Sequence, residues 1–221
     1  MNVDLAAIQK SLPSYCEVDA LDISALSLPE KTALHEYNND YHTVLVFAHH
    51  IQHSLEWAWF GFESARGGAV PPADLHLAAE VERISHMLSE DGYSAVILPY
   101  PGRCGVRFKD LAHKTGLGKI GDNYLFLHRT WGPWIHLRVM LTNAEIINTL
   151  PSCEQVCIHC GLCAIACPAG AIKEDTLLGN ECGKYSHKED HAYAYKCEVC
   201  IRACPVGLAP KELKITYAAD E

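Results

Sequence analysis

Nine of the eleven cysteines in this 221-residue chain fall after residue 150. Cys157, Cys160, Cys163 and Cys167, closed by Pro168, follow the spacing C-x2-C-x2-C-x3-C-P. That spacing is an established ligand run for [4Fe-4S] cubanes. The irons of a cubane lie a few ångström apart, so three thiolates reach one cluster only from a single tight turn. The fourth cysteine falls too far along and serves a neighbouring cluster, and Pro168 removes a backbone N–H and turns the chain away. Cys197, Cys200 and Cys204, closed by Pro205, repeat the pattern without its first member, which Cys182 supplies from across an insertion. Crossing the remote members gives one set of Cys157, Cys160, Cys163 and Cys204. The other set is Cys167, Cys182, Cys197 and Cys200. Four thiolates also suit zinc, but the two x3-C-P endings favour a pair of [4Fe-4S] clusters.

Thiols in this arrangement, rather than disulfides, imply a reducing compartment. The chain length suits one large or two small domains, and 49% hydrophobic residues allow a substantial core. No apolar run approaches the roughly 20 residues of a membrane span. The first residues carry neither a basic region nor twin arginines, so no membrane role and a cytoplasmic location are expected. A net charge of −9 is poor for a general nucleic-acid binder.

Upstream elements must position whatever the clusters serve. Leu5, Ile8 and Leu12 predict a helix over 3–12, ended by Pro13. The run Thr43–Ala48 reads as a buried strand. His49 and His53 stand four apart and would share a metal on a helix, but no Glu follows in the H-E-x-x-H sense, so a structural role is expected. Trp57, Trp59, Phe60 and Phe62 read as core or subunit-interface residues, or as the floor of a cofactor pocket. Residues 66–72 read as a loop. Leu77, Val81, Ile84 and Leu88 stripe a helix over 73–91 that stops at Gly92. A strand over 94–99, a loop over 100–105 and a short helix over 106–115 follow, giving an α/β layer.

Gly116, Gly118 and Gly121 match G-x-G-x-x-G. A dinucleotide fingerprint should follow a strand and open a helix; this one follows a helix and precedes an expected strand, Asn123–His128, so that reading is rejected. The glycines instead let a flat backbone approach something large, or they simply close a tight hairpin. Trp131–Trp134 reads as a turn, 135–141 as a strand and 144–156 as a linker. Cys16, Cys104 and Cys153 are surplus to the two sets; Cys104, in a loop bounded by glycine, is either reactive or a buried inert thiol.

Three segments carry a family resemblance. They are Asp110 to Asn123, Gly132-Pro133-Trp134, and Leu137 to Thr142, with the displaced Cys182 downstream. Over about residues 40–208 the chain resembles epoxyqueuosine reductases and the related core of reductive dehalogenases. The resemblance implies an α+β chain: a nitroreductase-like α/β domain over 1–149, followed by a ferredoxin-like 2[4Fe-4S] domain over 150–221. It also implies a corrinoid, cobalamin, held base-off between them without an axial His, with FMN as the weaker alternative. The D-x-H-x-x-G corrinoid motif is absent, since Asp74 and His76 are followed by Ala79. Gly116, Leu117, Gly118, Gly121 and Asn123 carry over as cofactor-binding candidates.

The family's V-D-[ST] segment, whose Asp is the proposed proton donor, has no Asp here; the corresponding stretch lies near Gly102, Arg103 and Cys104. Tyr100, Arg103, Lys109, Asp110 and His113 are the remaining donor candidates, with surface ion pairing as their bland alternative. Epoxyqueuosine reductases continue into a helical-repeat region that helps grip tRNA, whereas this chain ends at Glu221. With the acidic charge, that sets an expectation against tRNA and for a small-molecule substrate, served by a ferredoxin- or flavodoxin-like electron donor. The expected function is a corrinoid-dependent reductase. A flavin-dependent reductase and a non-catalytic electron carrier or corrinoid-reducing activator are the alternatives.

Overall fold

The computed structural model describes residues 3–38, 40–57, 71–100, 104–148, 150–186 and 197–211. Trp59, Phe60, Phe62, most of the 66–72 loop and Arg103 lie outside these residues. Its strands are β1 (Cys16–Asp22), β2 (Thr43–His50), β3 (Ala95–Ile97), β4 (Gly118–Ile120), β5 (Phe126–His128) and β6 (Ile135–Thr142). Its helices are α1 (Leu5–Ser11), α2 (Leu28–His35), α3 (Pro72–Glu90), α4 (Phe108–His113), α5 (Leu162–Ala166), α6 (Gly179–Ser186) and α7 (Val199–Arg202).

Four strands form one antiparallel sheet in the order β1-β2-β6-β3. The β-branched run of β2 is central and buried on both faces, which is why it is apolar throughout rather than alternating. Leu45 and Phe47 face one way, against the α3 stripe Leu77, Val81, Ile84 and Leu88 and against Leu5 and Ile8 of α1. Val44, Val46 and Ala48 face the other way, against Leu111 of α4, Leu117 and Phe126. Pro at the first position of α3 and Gly92 at φ +86 after its end set that helix's limits.

The strand expected over Asn123–His128 is instead the second half of a hairpin that begins at Gly118. Gly121 to Leu125 make the turn, where the Leu125 N–H donates to Asn123 Oδ1 at 3.1 Å and Tyr124 takes φ +59. The glycines that seemed to admit a flat ligand are filled by protein. A Cβ on Gly118 would strike the backbone carbonyl of Leu127; one on Gly116 would come 2.6 Å from the Pro151 carbonyl, and one on Gly121 2.6 Å from Leu127 Cδ1. Gly118→Val therefore destabilises the fold by on the order of 3 kcal/mol, since backbone cannot move aside as a side chain can. Denaturant unfolding checks this; an unchanged midpoint would mean that the β4–β5 contact is looser than it stands here.

Two carboxylates of β1, Asp19 buried and Glu17 half-buried, fasten this hairpin. Asp19, fully buried, accepts from the Gly116 N–H at 2.7 Å and from the Ala20 N–H at 2.8 Å. Burial pushes its carboxyl up, and the two N–H groups partly restrain it. Glu17 pairs with Arg129 beyond β5. The segment after Cys204 returns to the α/β part: the Lys211 N–H donates to the Gln52 carbonyl at 2.8 Å, and Gly132 and Gly207 meet back to back. No helix among the described residues is long and apolar enough to cross a membrane.

Candidate active site

The eight motif cysteines fall into two spatial groups. Cys157, Cys160, Cys163 and Cys204 border a small cavity beside Asp122 and Asn123. Cys167, Cys182, Cys197 and Cys200 border a larger one. The thiols' mutual electrostatics are strongest within each group, although Cys163 of the first also acts on Cys200 of the second. Burial, then Cys167 and Cys197, pushes Cys182 up. Burial pushes Cys204 up, with Cys157 and Cys160 adding to it. Cys200 is pushed up to about 12 by burial, then by Cys197 and Cys182. Burial makes Cys182 and Cys200 hard to ionise, whereas at Cys167 burial is outweighed by backbone N–H groups, which lower it; a cationic centre would reverse the penalty on the raised thiols. Gly161 in the left-handed region at φ +72 starts α5, the tight turn that three nearby ligands require.

The larger cavity, about 380 Å³, continues from the second cysteine set to the end of the sheet. Its far wall carries Tyr100, Lys109, Asn123 and His136, with Phe108 and Phe126 among the apolar lining. Tyr100 and Lys109 thus sit at the cavity. Asp110 pairs with Arg107 at 2.6 Å on α4 and does not line it. His113 also lies elsewhere, with Nδ1 accepting from the Ile120 N–H at 3.2 Å. Of the expected cofactor residues only Asn123 lines the cavity; Gly116, Leu117, Gly118 and Gly121 do not. Lys109 donates to the Tyr124 carbonyl at 2.6 Å, and burial lowers its ammonium.

Behind Tyr100 stands a buried network that the sequence did not betray. Asp74 of α3 accepts from Arg138 Nε at 2.7 Å and Nη2 at 2.6 Å, and His136 Nε2 lies 2.7 Å from its Oδ1. Burial acts to raise Asp74, but these bonds hold its carboxyl below the usual carboxylate range. The His136 ring meets Tyr100 edge-on at 4.7 Å, and the Arg138 guanidinium lies 5.4 Å from the Tyr100 ring centre. Burial, then the Asp74 charge, pushes the Tyr100 hydroxyl up to about 12. The surplus thiol Cys104 is buried and donates to the Val106 carbonyl at 3.4 Å, a packing role.

Residues 156–208 match the family model of the 4Fe-4S dicluster domain. An epoxyqueuosine reductase of Synechococcus sp. (strain RCC307) is 31% identical over 107 residues, covering 44% of this chain and 33% of that protein. One from Aliivibrio fischeri is 25% identical over 154 residues, covering 64% and 40%. The matched part thus spans well under half of these relatives. In fold, the chain resembles epoxyqueuosine reductase solved with an epoxyqueuosine-modified tRNA-Tyr stem loop, with a TM-score of 0.68 at 15% identity over 91% of this chain and 64% of that one. It also resembles the catabolic reductive dehalogenase NpRdhA in complex with 3-bromo-4-hydroxybenzoic acid, with a TM-score of 0.60 at 19% identity over 75% and 25%.

The first of these structures overturns the expectation against tRNA, because a protein of this fold holds a tRNA stem loop. Net charge misled because it sums over the whole chain, whereas phosphate contacts draw only on the cations of one surface. By fold and by cysteine arrangement alike, the chain resembles epoxyqueuosine reductases, and its residues 156–208 form a 4Fe-4S dicluster domain.

Proposed function

We propose that this chain, with a nitroreductase-like α/β part, passes electrons through two [4Fe-4S] clusters to a corrinoid in the larger cavity, for the reduction of an epoxide on a tRNA nucleoside. The observation that carries this reading is the cavity itself, which joins one cysteine set to Tyr100, Lys109 and His136. The first cysteine set lies toward solvent, with Cys160 exposed and Ile158 and Ile165 exposed beside it, so a ferredoxin- or flavodoxin-like donor would dock there.

The residues present fit a corrinoid. Phe108, Leu125, Phe126, Ile135 and Leu137 offer apolar walls to a macrocycle. His136, held at Nε2 by Asp74, would stand as a polar group on the wall beside the macrocycle. A corrinoid bound there would supply a cobalt centre that low-potential clusters can reduce to a nucleophile. Loss of an epoxide oxygen as water consumes two electrons and two protons. Tyr100 is the donor this geometry favours, because it stands at the cavity wall and carries an O–H; burial pushes that hydroxyl up to about 12, so it would give its proton only to a strongly basic oxyanion. Asp74 fixes His136 and Arg138, which in turn hold the Tyr100 ring. Lys109 supplies positive charge near a developing oxyanion.

The test is anaerobic, cluster-loaded protein supplied with cobalamin, a low-potential reductant and an epoxyqueuosine-bearing tRNA stem loop. Queuosine should form, and Tyr100→Phe should slow turnover by roughly 10²–10⁴-fold without changing iron content. Absence of product from the parent protein rejects the tRNA reading. An unimpaired Tyr100→Phe rejects the donor assignment. The likeness to a dehalogenase solved with a halogenated phenol favours one second reading, a small aromatic substrate, for which 3-bromo-4-hydroxybenzoic acid is the probe in the same assay.

A further inference from the structure

The end of β2 carries a second group of ligand-type side chains, none of which lines the cavity. His49 is buried, with its ring edge-on to Tyr15 at 5.3 Å. Its Nδ1 lies 3.6 Å from the Cys16 sulfur on the neighbouring strand, and its Nε2 lies 3.4 Å from Glu56 Oε2. Glu56, on the turn Ser54–Trp57, is fixed by the Gln52 N–H, which donates to the same oxygen at 2.9 Å. His76, exposed on the first turns of α3, brings its ring centre to 6.0 Å from that of His49. One ligand atom from each of the three lies within 4.8 Å of the others.

We propose that His49, Glu56 and His76 bind a borderline divalent cation of the zinc class. As a hydrogen bond, 3.4 Å between His49 and Glu56 is long. As a ligand pair it fits, because two donors about 2.1 Å from a tetrahedral ion stand roughly 3.4 Å apart. Two imidazoles and one carboxylate are a common zinc donor set, and they leave a fourth position open. They are also a different donor set from the all-thiolate sites, which hold iron in the cluster-loaded protein and so are closed to added zinc. Cys16 takes the place of the outer partner that ligating histidines usually have: Nδ1–H pointing at its sulfur leaves the Nε2 lone pair for the ion. His76 completes the site by rotating its exposed side chain, which is also the route of entry.

The pairing could not be seen along the sequence. His49 and His53, four apart, would have paired only on a helix and were expected to be structural; His49 lies in a strand, and its counterpart comes from α3. A bound ion would tie β2 to the first turns of α3, which also carry Asp74 two residues before His76.

The experiment uses the full chain, purified anaerobically with its iron–sulfur clusters in place. The protein is treated with a chelator, supplied with zinc and passed through a desalting column, and zinc and iron are counted per chain by mass spectrometry. Stoichiometric zinc is expected in addition to the iron. Loss of a direct ligand in His76→Ala should weaken zinc binding by at least the roughly 100-fold that loss of an outer partner can cause, with iron unchanged. Glu56→Gln should do the same, while His86→Ala, an exposed histidine on the same helix, should not. His76 is exposed, so its variant folds and the comparison remains valid even where His49→Ala does not. Zinc retention untouched by both His76→Ala and Glu56→Gln, or no retention by the parent protein, overturns the proposal.

Discussion

Asp74→Ala is expected to lower the melting temperature of the cluster-loaded protein by roughly 10 °C. The side chain is 2% exposed, against 12% for Arg138 and 5% for His136, so its removal strands a guanidinium and an imidazole away from water. Removing one partner of a buried pair costs roughly 3–5 kcal/mol, because the charge left behind is uncompensated. For a chain of this size each kcal/mol moves the melting point by about 2–4 °C. Asp74→Asn keeps acceptor and shape but not the charge, and should fall between parent and Asp74→Ala. The pH dependence follows from the same bonds. With its folded value held below the unfolded carboxylate value near 4, Asp74 contributes stability that is fully present above about pH 4 and fades as pH falls through the lower, folded value. Thermal melts of parent and Asp74→Ala from neutral pH downward should therefore converge in acid. A gap that stays constant below pH 4 would mean that packing of α3, and not the carboxylate, is what the mutation removes.

What the sequence made legible divides along physical lines. β2, β6 and α3 were readable because each carries its own signal: an apolar β-branched run, or a stripe at helical spacing over 19 residues. The ligand sets were proposed from spacing because cluster ligation is local, with three of four thiolates in one turn, and the structure gathers those cysteines around two cavities. β1 escaped notice because Glu17 and Asp19 break its apolar pattern, and their reason for being there is the β4–β5 hairpin more than 90 residues away. The three glycines were seen with two readings open, a large ligand or a tight hairpin, and the packing follows the second. Glycine marks a close approach without naming what approaches, and here the intruder is the chain's own backbone at Leu127 and Pro151. His136, Arg138 and Asp74 left no trace, because a lone His or Arg in a strand acquires meaning only when a helix 62 to 64 residues away brings its carboxylate. The tRNA error has the same root, since a whole-chain charge carries no information about one surface.

Iron content should halve when either cysteine set is broken, and each set should fail alone. Two cubanes hold about eight irons. Cys200→Ala should leave about four, and so should Cys204→Ala, although the two positions are only four apart on and just after α7. The reason is that they face different cavities, Cys200 toward Cys167, Cys182 and Cys197, and Cys204 toward Cys157, Cys160 and Cys163. Cys182→Ala belongs with Cys200→Ala, and the distant position of Cys182 makes this variant the sharper test. Half-exposed Cys153 is the rival ligand. The set around Cys200 also borders the larger cavity, and neighbouring Ile201 packs on Ile51, Ala73 and Trp134 of the α/β part. Its loss should therefore disconnect the cavity from the electron donor while the other cluster still reduces. Iron analysis with EPR of the dithionite-reduced variants separates the cases. One intact cubane signal in each variant, distinct between Cys182→Ala and Cys204→Ala, is the expected result. If Cys182→Ala keeps all its iron while Cys153→Ala loses half, the second set has been drawn with the wrong fourth ligand, and the cavity beside it would have to be reassigned.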